Sequence, residues 1–236
     1  MTSPLKRVIL IMGLLAWLGA HGATEADAQL PPLSQAPAAP KDPAALPVDG
    51  IAARIEDDVI LESEVHELGA FQLLSDGKSK PRNELIRELA DQWIVRGEAN
   101  TAKYPLPSAD EIENAYQQFV KQFPSPEEFQ KRLTAADLTE TAVKRILSQQ
   151  LYLAHFLDYR FRAAAQIDDK ELEKYYNEEF APQLKARNEP VPPLEDVEDT
   201  IREVLVQRAI NDRAEKWLDD TRQRLRIDIV NERSPS

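Results

Sequence analysis

Residues 194–230 read LEDVEDTIREVLVQRAINDRAEKWLDDTRQRLRIDIV. Pro192 and Pro193 stop the chain before this stretch and hand over to a helix start. Apolar residues then recur at helical spacing: Leu194, Val197, Ile201, Val204, Leu205, Ile210, Ala214, Trp217, Leu218 and Leu225. No Gly or Pro interrupts them, so one helix of roughly 45 Å is predicted. At Arg226 the period changes to two, and Ile227, Ile229 and Val230 are β-branched, which predicts a short strand. A lone strand leaves its backbone donors and acceptors unpaired. It needs a partner, and the good candidate lies near residue 50. The two ends of the folded region should therefore meet.

That partner reads Ile51-Ala52-Ala53-Arg54-Ile55, then Glu56-Asp57-Asp58, then Val59-Ile60-Leu61. Alternation on both sides of a polar turn predicts a β-hairpin. The three adjacent carboxylates lack the spaced pattern of a calcium loop and read as a solvated turn.

Between the ends the chain is helical. Ser63 is expected to cap a helix to about Ser75, ended by Asp76-Gly77. Pro81 is placed at the first position of the next helix, which carries Leu85, Ile86, Leu89, Trp93 and Ile94 to about Ala102. Ser108 to Glu111 and Ser125 to Glu128 read as capping boxes. A longer helix is expected from about Leu138 to Ala165, and another starts at Asp168 to Glu171. The fold class is mainly α, with a small antiparallel sheet joining an N-terminal hairpin and the C-terminal strand.

The flanks have other characters. Residues 1–28 carry Lys6-Arg7 and then an apolar run from Val8 to Leu18, the pattern of a signal peptide. Cleavage after Gly22 or after Ala28 fits, and export to the periplasm is the expectation. Residues 29–47 (QLPPLSQAPAAPKDPAALP) read as an extended Pro/Ala-rich linker. One domain should span 48–230, followed by a disordered tail at 231–236. The chain has no Cys, which excludes disulfides and a lipidated cysteine. Its net charge of −12 disfavours nucleic acid and anionic lipid as partners, and no stable membrane insertion is expected.

The segments VDGIAARIEDDVILESE, PRNELIRELADQWIVRGEAN, PSADEIENAYQQFVKQF, SPEEFQKRLTAADLTETAVKRILSQQLYLAHFLDYRF and QIDDKELEKYYNEEF, closed by residues 194–230, resemble in this order the SurA-type periplasmic chaperones of the parvulin family. The resemblance covers nearly all of 48–230. That family usually carries a parvulin prolyl isomerase domain before its closing helix. Here the interval is APQLKARNEPVPP, too short for it, and His66 and His155 lie within helical patterns. The resemblance therefore implies the non-enzymatic part of the family's work, the holding of unfolded outer-membrane or secreted polypeptides.

No phosphate loop, Gly-x-Ser-x-Gly or His-Glu-x-x-His occurs. No catalytic residue, metal ligand or cofactor is assigned. A client surface must stay apolar and open after folding. Tyr152, Phe156 and Tyr159 are the first candidates, because the 138–165 helix is apolar around more of its circumference than one packed face needs, and Phe119 and Phe123 of the aromatic-rich segment after Ser108 come next. A central helix buried on several sides gives the same pattern. A self-associating or structural envelope subunit is the alternative function, and a prolyl isomerase a weaker one.

Overall fold

Alternating residues at the two ends of the folded region build one sheet. A computed structural model describes residues 49–230. The expected signal segment, linker and tail lie outside these. Strand β1 (Ile51–Ile55) turns at Glu56-Asp57 into β2 (Asp58–Leu61), and the chain returns much later as β3 (Ile227–Ile229). Both pairings with β1 are antiparallel, and the strand order is β2-β1-β3. In the β1–β3 register Ala53 faces Ile229 and Ile55 faces Ile227, while Arg54 opposes Asp228 on the other face. This is the closure expected from the sequence.

The turn carboxylates do more than meet water. Glu56 adopts a left-handed backbone (φ 49°). Its N–H donates to the Arg226 carbonyl at 3.1 Å, and its carboxylate accepts from the Arg226 N–H at 2.6 Å. Asp58 accepts from the Trp93 indole at 2.9 Å. At the far end of β3 the Val230 N–H donates to the Ala52 carbonyl at 2.9 Å. The closing strand is thus held at both ends.

Helix α1 (Glu62–Asp76) follows β2 without a break. Ser63 lies inside it and is not its cap. The Glu64 carboxylate takes the Leu61 N–H at 2.8 Å, while the Ser63 hydroxyl donates to Asp49. Gly77 ends the helix in the left-handed conformation (φ 71°), where a side chain would be strained. Pro81 is the N-cap of α2 (Arg82–Thr101), one position before the expected one. A Cβ on Gly69 would sit 2.9 Å from the Ser79 hydroxyl and 3.2 Å from Leu85, so this glycine sets the close approach of the α1–α2 pair.

Ser108 and Glu111 form a reciprocal capping box on α3 (Ala109–Val120). Ser125 caps α4 (Pro126–Ala135) by accepting from the Glu128 N–H. The long helix is α5 (Glu140–Phe161), shorter than expected at both ends. Thr139 caps it, and a 3-10 turn (Arg162–Ala164) finishes it. Asp168 and Glu171 box the start of α6 (Asp169–Tyr175), which continues through a π-helical turn (Tyr176–Phe180) into α7 (Ala181–Ala186). Helix α8 (Leu194–Arg222) then runs back to the sheet.

Three apolar clusters form the core. One joins α1, α3, α4 and α5 around Phe71, Phe119, Phe129 and Leu147. A second sets the sheet on α1 and α2, with Leu225, Ile227 and Ile229 of the closing segment at its margin. The third packs α2, α5 and α8 through Ile94, Val95, Phe156, Ala214 and Leu218.

The closing helix is less buried than its apolar spacing predicts. Ile201, Ile210, Ala214 and Leu218 are buried, but Leu205 and Trp217 are half-buried and Val204 is exposed. The reason is what packs around α8. Its C-terminal part meets α2 and α5, whereas its first half meets the slender α6 and the 3-10 turn. There polar contacts do the fastening: Arg202 donates to the Ile167 carbonyl at 3.0 Å, Glu203 accepts from Arg162 at 2.7 Å, and Arg208 makes two bonds of 2.8 Å to Glu179.

Leu218→Ala is expected to cost about 2–5 kcal/mol, whereas Val204→Ala should cost less than about 1 kcal/mol because little area returns to water. Urea unfolding of the two variants measures the contrast. A chain ending at Pro193 should lose the sharp transition of the full chain.

Candidate functional site

A concave feature of the described residues lies beside β2. Consecutive residues of a strand project to opposite faces of its sheet. Val59 and Ile60 nonetheless line the same cleft, so the cleft runs past the strand's edge. It holds a cavity of about 70 Å³ and opens to solvent. Glu64, Glu67 and Leu68 of α1 form one wall. Leu89, Gln92, Trp93 and Arg96 come from α2, and Arg145, Ile146, Gln149 and Gln150 from α5. Leu68 and Ile146 are buried and Leu89 and Trp93 half-buried, so the floor is apolar. Val59 stays 41% exposed at the edge.

The rim is polar and almost balanced. Arg145 pairs with Glu67 across the cleft. Glu64 is engaged by the Leu61 N–H at the start of α1. Arg96 is exposed and has no ion pair among the described residues. The Trp93 indole is fixed by Asp58, which locks one floor residue to the end of β2. The arrangement offers apolar contact, amide side chains, one unneutralised cation and a strand edge. It offers no nucleophile with a base. Among the described residues no group of His, Asp and Glu is placed to hold a metal, and no helix is long and apolar enough to cross a membrane.

A buried carboxylate lies on α2 close behind this floor. Asp91 is 7% exposed, and the Arg222 guanidinium of α8 approaches it to 3.0 Å. Burial pushes its carboxyl up to about 6; Arg222 pulls it down, but Glu88, Asp219 and Glu215 push it up again. The pair pins the end of the closing helix to α2, yet the charge on Asp91 is itself unfavourable in the folded chain.

The five aromatic candidates fall elsewhere, and the expectation that they are exposed is corrected for most of them. Phe119 is 2% exposed and Phe156 1%. Tyr152 is buried, its hydroxyl donating to Asn100 at 3.1 Å. Phe123 is half-buried against Phe119 and Phe129, at centroid distances of 5.4 and 5.1 Å. Only Tyr159 is open, at 67%, resting on Tyr104. The physical reason is that α5 is clasped by four neighbours. Helices α3 and α4 cover its first half, and α2 and α8 its second, so its broad apolar surface is consumed by packing. Tyr152, Phe156, Phe119 and Phe123 do not form one open surface.

The groove residues were within reach of the sequence but read as core. Leu89 and Trp93 belong to the apolar stripe of α2, and only their half-buried state sets them apart. Gln149 and Gln150, adjacent amides set between Leu147 and Leu151, were the one local signal. The chain matches no protein-family model and no curated protein sequence.

Two outcomes follow. Phe156→Ala should cost about 3–5 kcal/mol, while Tyr159→Ser should leave the melting temperature within a few degrees, both read by thermal unfolding. Asp91 holds its proton more tightly in the folded chain than in the unfolded one, so its contribution to stability is full below about pH 4 and is lost as pH rises through about 6. Lowering pH from 7 to 5 should therefore favour the natural chain over Asp91→Asn by about 1 kcal/mol, measured as the difference between their denaturation free energies at the two values.

Proposed function

We propose that this chain is an ATP-independent periplasmic holdase that binds unfolded envelope or outer-membrane polypeptides. The observation that carries this reading is the groove beside β2. An apolar floor with an amide-rich, nearly neutral rim suits segments of many sequences, because it demands no particular side chain. The resemblance of the helix order to SurA-type chaperones points the same way, as does the signal-like N-terminus. The interval that would house a parvulin domain is instead the short α7 and a connection to α8, so the reading includes no prolyl isomerase activity.

Such binding is expected to be weak, near micromolar or about −8 kcal/mol. It should change little with salt, since apolar contact dominates over charge. Weakness suits a carrier that must release cargo without an energy source.

The test is dilution of a urea-unfolded outer-membrane β-barrel protein into buffer with the chain and no nucleotide, followed by light scattering. Equimolar chain should suppress aggregation. Val59→Asp should weaken suppression several-fold with helical circular dichroism and melting temperature unchanged. Failure to protect several barrel clients would move the assignment to a structural envelope subunit.

A further inference from the structure

We propose that β2 accepts an extended client segment as an added strand, giving the order client-β2-β1-β3. This deepens the holdase reading and rests on it. Three observations converge. First, β1 is the one strand that β2 pairs with among the described residues, so the other edge of β2 carries no strand; the Leu61 N–H at its end is taken by Glu64, which leaves Asp58–Ile60 as the stretch to be read. Second, the groove is lined by both Val59 and Ile60, which places open space along that edge instead of over one face. Third, no proline and no covering strand blunts the edge in Asp58–Leu61, and the one charge there, Asp58, is turned to the Trp93 indole.

An added strand would lie about 4.8 Å from β2, between it and the helices of the opposite wall. Its backbone would meet the β2 edge, and every second side chain would rest on Leu68, Leu89 and Trp93. Charge selects further. Glu64 and Glu67 are engaged within the fold, whereas Arg96 is not. A carboxylate on the segment beside Arg96 completes the rim. The occupant is therefore an extended, strand-forming peptide with alternating apolar residues and an Asp or Glu. Because backbone groups supply much of the contact, one site serves clients of varied sequence, as strand addition does in general.

Strand addition leaves a signature that apolar contact alone does not. Successive N–H groups along a strand point to opposite sides, so an edge-bound peptide uses only alternate ones. The probe is a fluorescein-labelled peptide alternating valine and threonine with one central aspartate. Two derivatives carry N-methyl groups on the odd or on the even residues. With the full chain, one derivative should lose about tenfold or more in affinity, the equivalent of one or two hydrogen bonds, and the other should bind within about threefold of the parent. Arg96→Glu should weaken the aspartate peptide and not its threonine counterpart. Amide exchange at Asp58–Ile60 should slow when peptide is bound.

Equal effects of the two methylation patterns, with binding and aggregation suppression intact, overturn strand addition and leave the holdase standing. A chain that neither binds the peptide nor suppresses aggregation overturns both. A chain that is already dimeric, with Asp58–Ile60 protected before peptide is added, overturns the client as occupant in favour of a second copy.

Discussion

Everything in this fold depends on the antiparallel pairing of β1 with β3. Ala52, Ala53 and Ile55 of β1 are fully buried, and buried backbone groups must be hydrogen-bonded. The hairpin satisfies one side of β1, and only the returning chain satisfies the other. The Glu56–Arg226 exchange and the Val230–Ala52 bond fix the register, so slippage by one residue would turn Ile227 and Ile229 to solvent and Asp228 inward. Once the register is set, Leu225 and Leu218 are delivered to the α2–α5 interface, and α8 has no freedom to pack elsewhere.

The same constraint explains why one edge stays open. A three-stranded sheet with β1 in the middle has two outer strands. At the end of β3 the Arg82 guanidinium donates to the Val230 carbonyl at 3.1 Å. β2 instead looks into the space bounded by α1, α2 and α5. The groove is thus a by-product of using a two-ended sheet to close a helical domain, and the apolar floor comes from helices whose main business is the core.

Much of the architecture was legible because it is written in local rules. The change of period at Arg226, the Ser108 and Asp168 caps and Gly77 each name a boundary by one mechanism. Boundaries shifted where a side chain found a different partner, as when Ser63 bonded Asp49 and left Glu64 to cap α1. The site was the poorly legible part. Periodicity states that Phe119, Tyr152 and Phe156 are apolar on a helix, but burial is decided by how many neighbours arrive, and those come from distant segments. Leu89 and Trp93 have the opposite history, core-like in pattern and half-open in fact, because the short β2 leaves their side uncovered.

The Glu56–Arg226 clasp joins residues 170 positions apart. Loop closure over such a distance costs entropy before any contact rewards it, and topologies of this kind fold slowly. Consider a chain emerging residue by residue from a ribosome or a translocation pore. The hairpin appears before the helices and must wait, one flank of β1 bare, until β3 is out. Helical segments can form meanwhile, but the final cooperative structure is withheld to the end. The sheet of this domain therefore cannot close before β3 has been made, whatever the helices between have already formed.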